Sequence, residues 1–159
     1  MSQRINYQQQ APEIFKRFLA FSQATEGSTV EGAIREFVKL RASQLNGCAF
    51  CVDMHVKQAK IHGERELRLH HVTIWRESQL FNARERAALE WTEVLTHLPP
   101  EGVPDDAFER VRAQFSEKEL AELTFMVMAI NAWNRVNCAF KTVPGSADQA
   151  YGLDKAQLT

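Results

Sequence analysis

Two cysteines and a histidine are the residues of this chain best suited to chemistry. In Gly47-Cys48-Ala49-Phe50-Cys51-Val52-Asp53-Met54-His55 they stand three and four residues apart. On a helix that spacing puts all three on one stripe, with neighbouring Cβ atoms about 5–6 Å apart. Asn46-Gly47 punctuates the preceding helical stretch and places Cys48 at a helix start. The unpaired N–H groups and the positive end of the helix dipole found there favour thiolate over thiol. Two thiols so placed can close a disulfide while the imidazole moves their protons. Asp53 falls on another face, and Ala49 and Val52 support the packing.

A C-x-x-C pair by itself leaves other readings open. A structural zinc site takes four protein ligands, and Cys48, Cys51 and His55 supply three. A fourth would have to come from His62, His70, His71 or Cys138, none of which stands in ligand spacing, so no metal is expected. A thioredoxin-like site needs a strand before the motif, whereas Ile34 to Leu45 reads as helix. Two buried thiols beside a satisfied histidine is the plain structural alternative. Cys138 has no motif around it and reads as a packed core thiol.

The elements that must position the motif are helical nearly throughout, so the fold class is all-α, a single domain over residues 1–159 with about six or seven helices. A first helix is predicted over Pro12 to Thr25 and closed by Gly27. Ser28 and Glu31 form a capping-box pattern that opens a second, with its apolar stripe at Ile34, Phe37, Val38, Ala42 and Leu45. Arg41 falls within that stripe and calls for a carboxylate partner. The motif helix runs from about Cys48 to His62, with Gly63 as its stop and a short piece from Glu64 to about His71, where His70 and His71 sit at the surface.

Asn82 with Glu85 starts a helix that ends before Pro99-Pro100, and Pro99 to Pro104 is a loop. Ser116 with Glu119 caps the last long helix. Leu120, Leu123, Phe125, Met126, Val127, Met128, Ile130 and Trp133 occupy nearly every face of it, which predicts cover on all sides and a homo-oligomer to supply it. Trp75, Trp91 and Trp133 read as core or subunit contact. The tail from about residue 141 reads as loop-like or extended.

The chain has 159 residues, 45% of them hydrophobic, and a formal charge of −1. That is enough for one core, and the dispersed basic residues give no footprint for nucleic acid or for a membrane surface. The polar start, Met1 to Gln10, lacks the apolar stretch of a secretory signal, and no segment is a membrane span. A cytoplasmic protein is expected, where a close cysteine pair is catalytic or metal-binding rather than structural.

The segment Glu36 to His55 resembles the core motif of AhpD-like alkylhydroperoxidases, within the carboxymuconolactone decarboxylase superfamily. The likeness extends through Lys57, Ala59 and Gly63 to Trp75-Arg76-Glu77 and Leu89, covering about residues 31–97, and includes Ile130-Asn131-Ala132-Trp133-Asn134-Arg135 in the last helix. It implies four functional residues: Glu36, Cys48, Cys51 and His55. Cys51 would attack a hydroperoxide, Cys48 would resolve the resulting sulfenic acid, and Glu36 with His55 would relay protons. No cofactor is expected to be bound. The resemblance implies an external thiol reductant, for which a lipoyl-bearing protein is a candidate, and trimers or hexamers. Relatives that decarboxylate muconolactones generally lack the C-x-x-C pair, so its presence favours the peroxidase branch. The best-studied form carries a histidine where this chain has Phe50, which removes one member of the relay. Glu36 lies at the edge of the apolar stripe near Ala33 and Leu40, where partial burial would raise its pKa; an ordinary solvated carboxylate is the alternative.

Overall fold

The computed structural model describes residues 2–156 and Leu158. Among them are nine α-helices and two 3-10 turns, and no strand. The helices are α1 (Tyr7–Gln10), α2 (Pro12–Glu26), α3 (Gly32–Leu45), α4 (Ala49–Ile61), α5 (Glu66–His71), α6 (Ala83–Thr96), α7 (Asp105–Arg112), α8 (Glu117–Phe140) and α9 (Asp148–Tyr151); the turns are Val72–Ile74 and Leu153–Ala156. The all-α expectation holds, with more helices than the six or seven expected: α1 and α9 span four residues each, too short for a periodic stripe, and the eight-residue α7 buries only Ala107 and Val111.

Helix α3 is the spine, packed against α4, α6 and α8. Ile34 and Val38 enter one apolar cluster with Trp91 of α6 and Leu123, Met126 and Val127 of α8. Phe37 and Leu40 enter a second with Ala59 of α4, Trp75, Phe81 and Leu89. Ala42 meets Cys48, Cys51 and Ile130 in a third. Helix α3 is covered on nearly every side within the chain, whereas on α8 Phe125 and Met128 are 51% and 53% exposed, so a single chain does not supply the cover on all sides that the sequence predicts for α8.

Local signals decide most of the boundaries. Asn82 and Ser116 both form the expected capping boxes, with Glu85 and Glu119 returning a bond to the cap backbone. Ser28 and Glu31 do not form the predicted box. Glu122 of α8 accepts bonds from the Ser28 hydroxyl and the Thr29 amide, Glu31 pairs with Arg84, and α3 starts at Gly32, three residues later than a Ser28 cap would start it, without a side-chain cap. Tertiary partners, the Glu122 carboxylate for Ser28 and the Arg84 guanidinium for Glu31, outcompete the local cap here.

The tail is not an extended loop. Its 3-10 turn packs against α4 and buries Leu153 and Ala156, and Lys57 of α4 pairs with both Asp53 and Asp148. This packing depends on Asp53, which faces away from the cysteines and accepts the Gly145 amide at 3.0 Å. Cys138 is exposed, not a core thiol: it lies near the C-terminal end of α8, past the apolar part of that helix.

Arg41 finds its carboxylate. Glu93 of α6 accepts from Arg41 Nε at 2.7 Å and from the Trp75 indole at 2.8 Å, and it also pairs with Arg76. Removing one partner from a largely buried ion pair strands the other charge. Glu93→Ala should therefore lose about 3 kcal/mol in urea unfolding. The apolar double variant Arg41→Met with Glu93→Leu should lose less than that single change.

Candidate functional site

The motif folds as its spacing demands. Helix α3 ends at Asn46, Gly47 takes a left-handed φ of 63°, and Cys48 becomes the N-cap of α4. A residue with a side chain is strained at that φ, so glycine belongs at this turn. As N-cap, Cys48 accepts the Cys51 N–H at 3.4 Å through its sulfur. The two sulfurs are 2.7 Å apart, with the Cys48 thiol donating to Cys51. Cys48 and Cys51 are 2% and 3% exposed.

This contact makes the two thiols unequal. The hydrogen bond from Cys48 lowers the Cys51 pKa below its ordinary value despite burial, with help from Asn134 and Asn137. The same bond, together with burial, raises Cys48 far above the ordinary thiol range. The arrangement favours the thiolate at Cys51 and the thiol at Cys48.

His55 lies one turn after Cys51 and is buried. Its Nδ1 is 2.8 Å from Gln58 Oε1, an acceptor, so Nδ1 carries the proton and Nε2 is the basic nitrogen. Burial, reinforced by the charge of Lys39, pushes its pKa down to about 3, so the ring is neutral. Glu36 is buried too, and the Lys39 charge acts on it as well as on His55. Burial raises the Glu36 pKa; its Oε1 meets His62 Nδ1 at 3.2 Å, and its Oε2 is buried without a hydrogen-bond partner. Glu36 and His62 line a cleft with Ala59, Gly63 and Glu64; His55 is not part of its lining.

The fold therefore brings Cys48 and Cys51 into contact, and gives His55 and Glu36 separate hydrogen-bond partners, Gln58 and His62. Among the described residues, no group of three or more His, Cys, Asp or Glu side chains is arranged to hold a metal ion. His70 is exposed, and His71 bonds the Ser78 hydroxyl at 2.9 Å. Trp75 and Trp91 are core residues; Trp133 is half-buried against Phe18.

Sequence reasoning missed the polar wall of the site. Asn131, Asn134 and Asn137 are all buried on the face of α8 that meets the motif. Asn46 bonds Asn131 at 3.0 Å and Asn134 at 2.9 Å, and Asn137 Nδ2 donates to Cys51 Sγ at 3.5 Å. The available signal was three asparagines at three-residue spacing inside an otherwise apolar helix, where a buried amide must have partners.

Residues 12–94 match the carboxymuconolactone decarboxylase family. The chain is 40% identical over 139 residues to the uncharacterized protein YdfG of Bacillus subtilis (strain 168), an overlap of 87% of this chain and 95% of that one. A solved structure from Agrobacterium tumefaciens, of a protein of unknown function whose name connects it with the antioxidant defence protein AhpD, superposes with a TM-score of 0.87. It is 42% identical, over 90% of this chain and 98% of that one. The debrominase Bmp8 superposes with a TM-score of 0.76 over 92% of this chain and 78% of its own, at 18% identity, a likeness of fold alone. No helix among the described residues is long and apolar enough to cross a membrane.

The neutral, buried His55 makes stability depend on pH. Its ordinary pKa is 6.5 and its folded value about 3, so below pH 6.5 the unfolded chain takes up a proton that the folded chain refuses. Stability is lost as pH falls through that window, by up to about 1.4 kcal/mol per pH unit. Glu36 acts in the opposite sense: its raised pKa lets the folded chain bind a proton first, which adds stability as pH falls towards 4.5. The stability gap between wild type and His55→Gln should narrow by about 2 kcal/mol from pH 6.5 to pH 5, read from urea unfolding at each pH. A gap independent of pH would mean that His55 is not buried neutral.

Proposed function

The chain belongs to the carboxymuconolactone decarboxylase family as an AhpD-like member, and on that premise we propose that it is an antioxidant thiol peroxidase that reduces hydroperoxides through a Cys48–Cys51 disulfide. The observation that carries this reading is the contact of two buried thiols, Cys48 Sγ donating to Cys51 Sγ at 2.7 Å, with the Asn137 amide donating to Cys51 from α8. A nucleophile reacts as thiolate, and a resolving thiol follows it.

In the first step the Cys51 thiolate attacks the terminal oxygen of the hydroperoxide. An S–O bond forms, the O–O bond breaks, and the alkoxide leaves with a proton as alcohol, so that Cys51 becomes a sulfenic acid. The Cys48 sulfur then attacks the sulfenic sulfur. An S–S bond forms, and the hydroxyl departs as water with the proton released by Cys48. An external dithiol returns the disulfide to two thiols and is itself oxidised to a disulfide; a lipoyl-bearing protein has that chemistry. His55, one turn from Cys51, takes part as a neutral imidazole whose unprotonated Nε2 accepts a proton in passing; burial makes it a weak base, so it does not hold that proton. Glu36, kept protonated to higher pH by burial, is the proton donor at the cleft it shares with His62.

One observation favours a second reading, a thiol–disulfide oxidoreductase or redox sensor with little peroxide turnover. Phe50 stands where a relay histidine would, and Glu36 and His55 are bonded to different partners. The two readings share the disulfide and differ in how protons reach the departing oxygen. We also propose a homo-oligomer, trimer or hexamer, that covers Phe125 and Met128 of α8 with the adjacent Phe21 of α2. Light scattering coupled to size exclusion should then give a mass that is a multiple of three chains, and Met128→Glu with Phe125→Glu should lower it.

The decisive assay is consumption of several hydroperoxides with dihydrolipoamide as donor. Wild type should turn over, and Cys51→Ser and Cys48→Ser should not. A dimedone-type reagent should trap a sulfenic acid in Cys48→Ser alone; labelling only in Cys51→Ser would reverse the roles. His55→Gln and Glu36→Gln should slow disulfide formation by about 10²–10⁴-fold if they move the protons. Disulfide cycling with dihydrolipoamide but negligible peroxide consumption would select the oxidoreductase reading.

A further inference from the structure

We propose that Asn137 is a further catalytic residue at the cysteine pair and that Tyr7, on the N-terminal helix α1, is its positioning residue. The inference rests on the reading of Cys51 as the reactive thiol, and it concerns what holds that thiol ionised.

Asn137 is 4% exposed, so its amide must find partners inside the protein. Nδ2 donates to Cys51 Sγ at 3.5 Å, and Oδ1 accepts from the Tyr7 hydroxyl at 3.3 Å. The two ends of the amide have opposite effects on the sulfur: an N–H favours thiolate, whereas a carbonyl oxygen would repel it. What fixes the choice is the phenol, which is a better donor than acceptor and so holds the carbonyl end and turns the NH2 towards Cys51. Burial raises the Tyr7 pKa, so the phenol keeps its proton wherever Cys51 ionises.

Tyr7 is itself held firmly. Its ring stacks on Phe140 at 5.7 Å and meets Phe15 edge-on at 6.0 Å. The segment before it is tied to the end of α8 by Arg4, whose amide donates to the Phe140 carbonyl at 2.8 Å and whose guanidinium donates to the Ala139 carbonyl at 3.2 Å. Asn6 caps the helix by accepting the Gln9 amide. The groups acting on Cys51 are thus Cys48 on its own helix, Asn134, Asn137 and Cys138 on α8, and Tyr7 from α1 acting through Asn137. Tyr7 and Asn137 both lie outside residues 12–94, so α1 and α8, which flank the family-matched segment, complete the thiolate site.

The test is a titration of thiolate ultraviolet absorbance on the full-length reduced protein in a Cys138→Ser background. Tyr7→Phe keeps both ring contacts and removes only the hydroxyl; it should raise the Cys51 pKa enough to cut the thiolate fraction about threefold at low occupancy. Asn137→Leu keeps the approximate volume but has neither donor nor charge, and should cut it by about tenfold or more. Tyr7→Phe should add nothing in the Asn137→Leu background, because a positioning residue has no effect once the group it positions is gone. An unchanged Cys51 titration in folded Tyr7→Phe, or additive shifts in the double variant, would overturn the proposal. If Asn137→Leu does not fold, Tyr7→Phe decides alone. The titration needs no turnover, so a shift without peroxide consumption would count against the peroxidase reading and leave this one standing.

Discussion

The structure depends on one buried polar contact, the docking of the α3–α4 turn onto the asparagine face of α8. Apolar packing between helices is non-directional and tolerates sliding. Amides buried together do not, because each displaced group would lose its partner in a medium that cannot replace it. Asn46 ends α3, bonds the Ala42 carbonyl at 2.9 Å and reaches Asn131 and Asn134. Asn131 continues to the Thr96 hydroxyl of α6 at 3.0 Å, and Asn134 to the Ser43 hydroxyl at 3.0 Å. Three helices are thereby fixed in register around the two residues that precede Cys48.

That register makes the cysteine pair more than a helical C-x-x-C. A helix N-terminus lowers both thiols in kind, but only a contact between them separates their roles, and only a donor from outside α4 biases which sulfur carries the charge. Asn134 and Asn137 supply that bias from the same helix that clamps the turn. The position of the clamp and the ionisation of Cys51 are thus set together, so that changes to α8 are felt at a sulfur on another helix.

Charge burial within α3 is the second constraint. Glu36 and Lys39 are one helical turn apart and both buried, an arrangement a core helix accepts only when the charges have partners. Lys39 pairs with Glu26 of α2, and Glu36 with His62 beyond the end of α4. Burial, reinforced by the Lys39 cation, disfavours a protonated His55, which keeps the imidazole neutral on α4 and creates the acid lability of the fold.

The sequence by itself determined what local physics decides: the helical class, the caps at Asn82 and Ser116, the glycine turn before Cys48, the shared stripe of the cysteines and the need of Arg41 for a carboxylate. Each follows from side chains within one or two turns of each other, or from an unpaired charge in an apolar stripe. What the sequence could not decide is competition between distant partners. Ser28 leaves its predicted cap for Glu122, Asp53 is taken by the tail, and Cys138 emerges at the surface because α8 outlasts its apolar packing. Glu36 and His55 are both buried, as a relay would require, yet their orientation depends on Gln58, Lys39 and His62, whose influence periodicity cannot reveal. The inequality of the two thiols is tertiary in the same sense, since part of it comes from donors on α8, some 80 residues along the chain from Cys51. Hydrogen bonds act over about 3 Å whatever the separation in sequence, and only the folded chain establishes which groups come that close.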